Sequence, residues 1–134
     1  MPDPKGTKST MLPHKPEDWP PLFVQHLNSG DLEAVAALYA PNARFLARAG
    51  ETIVARDRIR DVLARMIRSK TKLQSRVITA ISADDVAVLY SDFEATTMDA
   101  SEETIHVRYN AVEVLRRQPN GCWKLIVSDP NGRE

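Results

Sequence analysis

The chain holds a single cysteine, Cys122, in 134 residues. It can form no internal disulfide and offers no cysteine set for a zinc cluster. A lone thiol fits a reducing compartment, and a cytoplasmic location is the expectation. Neither charge is in surplus, since 18 Lys and Arg balance 18 Asp and Glu. No long-range field therefore draws the chain to nucleic acid or to an anionic membrane. No apolar run approaches the roughly 20 residues of a membrane span, and the N-terminus lacks the apolar centre of a secretory leader. P-loop, dinucleotide fingerprint, nucleophile elbow and metal-ligand spacing are missing, and His14, His26 and His106 fall on different elements. No metal, cofactor, nucleic-acid partner or membrane partner is expected. Nothing repeats internally.

What is present is organised around Leu27–Phe45, LNSGDLEAVAALYAPNARF. Gly30 suits the left-handed position that closes a helix, and Asp31 can cap the next one. Leu32, Val35, Ala36 and Tyr39 then share a helical face, and Pro41 forbids continuation. Two short helices joined so tightly turn sharply and leave an apolar stripe that needs a partner. Before them, Met1–Lys15 carries three prolines among Lys, Ser and Thr with little to bury. It is read as a disordered tail, with one folded domain over 16–134. Asp18 is the expected cap of the first helix, with Pro20 and Pro21 in its first turn. Trp19, Leu22, Phe23 and Leu27 form its stripe, and His26 borders the stripe as a half-exposed packing residue.

The rest supplies a sheet. Ala43–Arg48 and Thr52–Ala55 flank a turn at Ala49-Gly50-Glu51. Asp57 is the expected cap of an amphipathic third helix, whose apolar face is Ile59, Val62, Leu63, Met66 and Ile67. Its basic face, Arg58, Arg65, Arg68 and Lys70, reads as solvated. From Leu73 the period becomes two, with Leu73, Val77 and Ile81 on one face. Ala83-Asp84-Asp85 turns the chain into Val86–Met98, which begins VAVLY, apolar on both sides as in a central strand. After a turn at Asp99–Glu103, strands Thr104–Arg117 and Cys122–Asp129 are joined around Pro119-Asn120-Gly121. The class is α+β: three N-terminal helices packed in a strongly curved, mostly antiparallel sheet, a cone whose open end favours a pocket.

The penultimate strand carries the chemistry. One face reads Ile105, Val107, Tyr109, Ala111, Glu113, Leu115, so Glu113 is a carboxyl on an otherwise apolar face. Burying it costs several kcal/mol unless it is paired, hydrogen-bonded or protonated. The other face, with His106, Arg108, Asn110, Val112 and Val114, is mixed in character. With Ile78 it offers a surface for a second copy, and a homodimer through the sheet is expected. In the last strand Trp123, Leu125, Val127 and Asp129 share a face. The connecting loop decides whether Asp129 joins Glu113, and both a catalytic acid and a capped turn stay open for it. Trp19, Phe23, Tyr39, Tyr90 and Tyr109 are candidates for a pocket wall, and helix–sheet packing alone also accounts for them.

The segments FVQHLNSGDLEAVAALYAPNARF, ARDRIRDVL, SADDVAVLYSDF and VEVLRRQPNGCWKLIVSDPNG resemble the SnoaL-like, ketosteroid-isomerase-like branch of the nuclear-transport-factor-2-like, cone-fold superfamily. The resemblance covers roughly Asp18–Gly132. It implies a tyrosine in the first helix, a base aspartate on the first strand and a protonated aspartic acid on the penultimate strand. Phe23 stands at the tyrosine's place, Ala47 at the base's and Glu113 at the acid's. The resemblance therefore implies a cone-fold domain binding a small apolar molecule, with the isomerase's own mechanism missing two of its groups. Three functions stay open: a cofactor-independent isomerase or cyclase using Glu113 and Asp129, a non-catalytic binder, and a dimeric assembly module.

Overall fold

The structure, a computed structural model, describes residues 11–48, 51–54, 56–98 and 101–133, with main chain only at 47, 48, 51–54 and 56. The first ten residues, the turn at Ala49-Gly50, Ala55 and the start of the turn at Asp99 lie outside the described residues. Among the described residues a 3-10 turn at Pro16–Asp18 and three α-helices, α1 (Trp19–Asn28), α2 (Leu32–Ala36) and α3 (Arg56–Arg68), precede or interrupt six strands. The strands are β1 (Tyr39–Arg48), β2 (Glu51–Val54), β3 (Lys72–Ala83), β4 (Val86–Met98), β5 (Thr104–Arg117) and β6 (Trp123–Asp129). They form one sheet in the order β2-β1-β6-β5-β4-β3. Every pairing is antiparallel except β1 with β6, which is parallel. The helices line one face, giving the curled α+β architecture of the cone fold.

The joint between α1 and α2 forms for the expected reasons. Gly30 sits at φ +77°, a conformation that costs a residue without Cβ little, and Ala34 N–H donates to Asp31 Oδ1 at 3.1 Å. Two caps differ from expectation. Asp18 occupies the position before α1 without a side-chain bond to the helix, and Asp57 lies inside the first turn of α3. Tyr39 also differs: α2 ends at Ala36, and Tyr39 opens β1 opposite Leu125. The helix stops early because the main chain there is captured by its neighbours. Leu38 O accepts from both Leu125 N–H at 2.9 Å and the Trp19 indole at 2.9 Å. At the other end of α1, Asn28 imitates a strand. Its amide oxygen accepts from Leu73 N–H at 2.8 Å, and its amide nitrogen donates to Leu73 O at 3.0 Å.

The core fills the space between helices and sheet, with Trp19, Leu27, Val35, Leu38, Leu89, Leu115 and Leu125 fully enclosed. Each such aliphatic side chain contributes about 1.5–3 kcal/mol by leaving water. The basic residues Arg58, Arg65, Arg68 and Lys70 of α3 are exposed, as a solvated face requires.

Residues 11–15 are part of the packed structure, whereas the sequence reading excluded them as tail. Pro13 is fully buried, its carbonyl accepts from Trp123 N–H at 2.8 Å, and Met11 O accepts from His26 Nε2 at 3.0 Å. Few apolar side chains are needed for this docking, because main-chain carbonyls make the bonds. His26 is thereby buried rather than half-exposed.

Two bulges reset which side chains face inward. In β3 the register jumps between Val77, opposite Ser91, and Thr79, opposite Tyr90, so Ile78 is the extra residue. Ile81 consequently lies on the outer face and is exposed, not beside Leu73 and Val77 as strict alternation predicts. In β6 the extra residue is Ile126: Leu125 pairs with Leu115, but Val127 pairs with Val114.

Candidate functional site

Between the helices and the concave face lies a cavity of about 280 Å³. Its walls come from α1 (Trp19, Phe23), the start of β1 (Tyr39), α3 (Ile59, Leu63, Met66) and the inward residues of β4, β5 and β6. Trp19 and Phe23 stack with ring centroids 5.1 Å apart. Tyr39 meets Trp19 edge to face at 5.6 Å, and Phe93 meets Phe23 at 6.0 Å. Such stacked and edge contacts are the favoured aromatic geometries. Among the five aromatic residues expected there, Trp19, Phe23, Tyr39 and Tyr109 line the cavity. Tyr90 does not: odd and even positions of β4 alternate, and Tyr90 pairs with Val112 on the outer face, 36% exposed.

Glu113 is the acid of this cavity. It lies on its wall, 3% exposed, among apolar and aromatic groups. Ser91, its neighbour on β4, donates its hydroxyl to Glu113 Oε1 at 3.1 Å. Burial penalises the charged form and pushes the carboxyl from 4.5 up to about 7, against the smaller opposing pull of the Ser91 hydroxyl and the Arg133 charge. The Tyr39 phenol is pushed up as well, by burial first and then by the negative charge of Glu113. No Lys, Arg or His lines the cavity among the described residues. Near neutral pH the carboxyl is thus divided between its two forms and able to give or take a proton in an apolar enclosure.

Asp129 takes no part in this arrangement. The bulge at Ile126 inverts the alternation of β6, so Ser128 lies opposite Glu113 and lines the cavity while Asp129 pairs with Val112 on the other face. The Asp129 carboxylate accepts from Asn131 N–H at 3.3 Å, and its carbonyl accepts from Gly132 N–H at 3.2 Å. Of the two uses open to it, the structure builds the capped turn.

Ser91, Ser128, Asn131 and Arg133 are the polar residues that sequence reasoning missed. Ser91 carried a signal, for it continues the inward parity of Ala87 and Leu89. Recognising it as a partner of Glu113 required the β4–β5 register, in which Ser91 lies opposite Ala111 and Leu89 opposite Glu113. Cys122 is buried, with His14 Nε2 4.0 Å from its sulfur, a neighbour no sequence spacing indicates. Among the described residues no cluster of three His, Cys, Asp or Glu could hold a metal ion. None of their helices is long and apolar enough to cross a membrane.

Residues 22–125 match the family of SnoaL-like domains. The chain belongs to this family. Solved structures place the SnoaL-like domain in the NTF2-like, cystatin-like fold. A ketosteroid isomerase-like protein from Erwinia carotovora atroseptica superposes with a TM-score of 0.73 at 18% identity, over 84% of this chain and 89% of the other. An NTF2-like protein with a cystatin-like fold from Novosphingobium aromaticivorans gives 0.69 at 14% identity, over 84% and 75%. An epoxide hydrolase/cyclase-like enzyme with a role in pyran ring formation in the polyether salinomycin gives 0.62 at 18% identity, over 84% and 86%. At such identities the likeness is one of fold. No curated protein matches the chain. Phe23 puts a ring without a hydroxyl on the cavity wall, Ala47 lies on β1, and Glu113 is the carboxyl that lines the cavity among the described residues.

Proposed function

We propose that this SnoaL-like domain binds a small, largely apolar molecule in the cavity and acts on it as a cofactor-independent isomerase or cyclase, with Glu113 as the proton carrier. The observation that carries this reading is a buried carboxyl on the cavity wall, held by Ser91 and poised near neutrality. An ionised Glu113 takes a proton from the bound molecule at one atom. The acid so formed returns it at another, and the apolar walls keep water from competing. The proton balance closes within the ligand, so no other reactant is required. The test is proton exchange in heavy water with small cyclic ketones as probes. Wild type is expected to wash deuterium into the position next to the carbonyl, and Glu113→Gln to lose about 10²–10⁴-fold of that rate.

A non-catalytic binder is the second reading, favoured by Phe23 and Ala47 at places where the isomerases hold a phenol and a base. It predicts that the same ketones quench Trp19 fluorescence in both proteins with no exchange in either.

The working unit in this proposal is a homodimer joined through the outer sheet face, in a reducing, cytoplasmic setting that suits the lone Cys122. Ile81, Tyr90 and Val127 are large apolar groups exposed on that face, next to Val112 and Val114. Sedimentation at micromolar concentration is expected to give twice the monomer mass. Tyr90→Lys, which puts a charge in the apolar patch, is expected to give the monomer.

A further inference from the structure

Beyond β6, residues 130–133 stay against the domain. Pro130 and Asn131 line the cavity, and Asn131 is also exposed, so the cavity reaches the surface beside this turn. Gly132 follows, pressed so close to β5 that a Cβ there would sit 2.8 Å from Val112 Cγ2. Arg133 then crosses to the outer face, where its main-chain N–H, Nε and Nη2 all find acceptors. Its main-chain N–H donates to Asn110 O at 3.1 Å, Nε to Ala111 O at 3.3 Å, and Nη2 to Ser91 O at 3.0 Å and Asp92 Oδ1 at 2.7 Å. Its guanidinium also lies over the Tyr90 ring, 5.4 Å from the centroid. One side chain thus ties the segment after β6 to both β4 and β5, at the residue whose hydroxyl holds Glu113.

We propose that Pro130–Arg133 is a latch on the cavity: Arg133 holds Pro130 and Asn131 against its opening and, by gripping Ser91 across the sheet, positions the Glu113 carboxyl. This deepens the reading of Glu113 as the cavity's acid and rests on it. Arg133 is a positioning residue, since it stands on the outer face and reaches the acid only through β4 and β5. Its charge acts along the same path, favouring the ionised carboxylate. Among the described residues, the polar groups that bond Glu113 or line the cavity with it are Ser91 on β4, Ser128 on β6, Tyr39, Tyr109 and Asn131, none of them cationic. Asp92 is the counter-charge of Arg133, and Arg76 of β3 approaches Asp92 at 3.7 Å.

Two substitutions of opposite sign test the latch on the full chain. The Glu113 titration midpoint is read by carboxyl-carbon NMR, with the resonance assigned by its loss in Glu113→Gln. Arg133→Gln is expected to raise the midpoint, because a cation is removed. Asp92→Asn is expected to lower it, because the same cation loses its counter-charge. Arg133→Lys keeps the charge but not the forked bonds, so it should raise the midpoint less than Arg133→Gln does, the remaining rise coming from the loosened Ser91. Opening of the cavity is read separately, as acrylamide quenching of Trp19 in a Trp123→Phe background, which should increase in both Arg133 variants. A folded Arg133→Gln protein with unchanged midpoint and unchanged quenching overturns the proposal. If Arg133→Gln does not fold, Asp92→Asn and Arg133→Lys decide it by the same two readouts. A wild-type Glu113 that titrates in the ordinary carboxylate range would instead overturn the reading of the acid, leaving the latch to be judged by quenching alone.

Discussion

The Ser91 hydroxyl and the Glu113 carboxyl meet at 3.1 Å inside a wall of aromatic and aliphatic side chains. A single neutral donor is too little to compensate a buried negative charge, so the protonated acid is the stable form over most of the acid range. Stability and its pH response follow from that imbalance.

Glu113 makes the fold less stable as pH rises. Its folded pKa, about 7, lies above the ordinary 4.5, so the folded state holds the proton more tightly than the unfolded chain. The stabilisation is complete below about pH 4.5 and is lost as pH climbs through 7, amounting to about 3 kcal/mol in total. Glu113→Gln removes the dependence, because the amide keeps the volume and never ionises. Denaturant melts at pH 5 and pH 9 should find the variant equal to or below wild type at the first and above it at the second. A variant less stable than wild type by about 3–5 kcal/mol at pH 9 would indicate a buried ion pair instead.

Gly132 is required by close approach. A Cβ there would meet Val112 Cγ2 at 2.8 Å, Val112 Cβ at 3.1 Å and Asp129 Oδ2 at 3.2 Å. A β-branched side chain has little freedom to move aside. Gly132→Ala is therefore expected to cost about 1–3 kcal/mol. A double-mutant cycle with Val112→Ala should show coupling that recovers part of the loss.

The segment Met11–Lys15 acts as a strap. Removing it uncovers the main chain of Trp123, which bonds Pro13 O, and the ring of His26, which bonds Met11 O. A buried donor left without its partner costs about 1–3 kcal/mol. A chain beginning at Pro16 should melt clearly below one beginning at Met11. Equal melting points would show that water replaces both bonds at no cost.

Asp129 is a turn residue, and its neutral isostere should behave as one. Asp129→Asn keeps an oxygen for the Asn131 N–H, so it is expected to cost less than about 1 kcal/mol. Ketone quenching of Trp19 and deuterium exchange should match wild type. A loss of exchange comparable to that of Glu113→Gln would return Asp129 to the chemistry.

Local rules carried much of this molecule. Gly30-Asp31, the apolar stripes of α1 and α3, the turn around Asn120-Gly121 and the inward row Tyr109-Ala111-Glu113-Leu115 follow from backbone preference and periodicity, which act within a few residues. They suffice for an α+β domain with a carboxyl on its apolar face. What they cannot supply is any relation that depends on counting through an irregularity. Ile78 and Ile126 are extra residues in ordinary-looking strands, and each reverses the alternation beyond it. That is why Ile81 points outward, and why Ser128 rather than Asp129 faces Glu113. Tyr39 reads as helix because its spacing fits one, yet Leu38 is captured by Trp19 and Leu125 from distant parts of the chain. The carbonyl bonds of Met11 and Pro13 leave no trace in side-chain composition, since every residue has a carbonyl. The presence of the acid was legible because an apolar face makes a carboxyl conspicuous. Its hydroxyl partner, its arginine across the sheet and its state of protonation belong to the tertiary structure, because burial and charge are set by whatever the whole fold brings near.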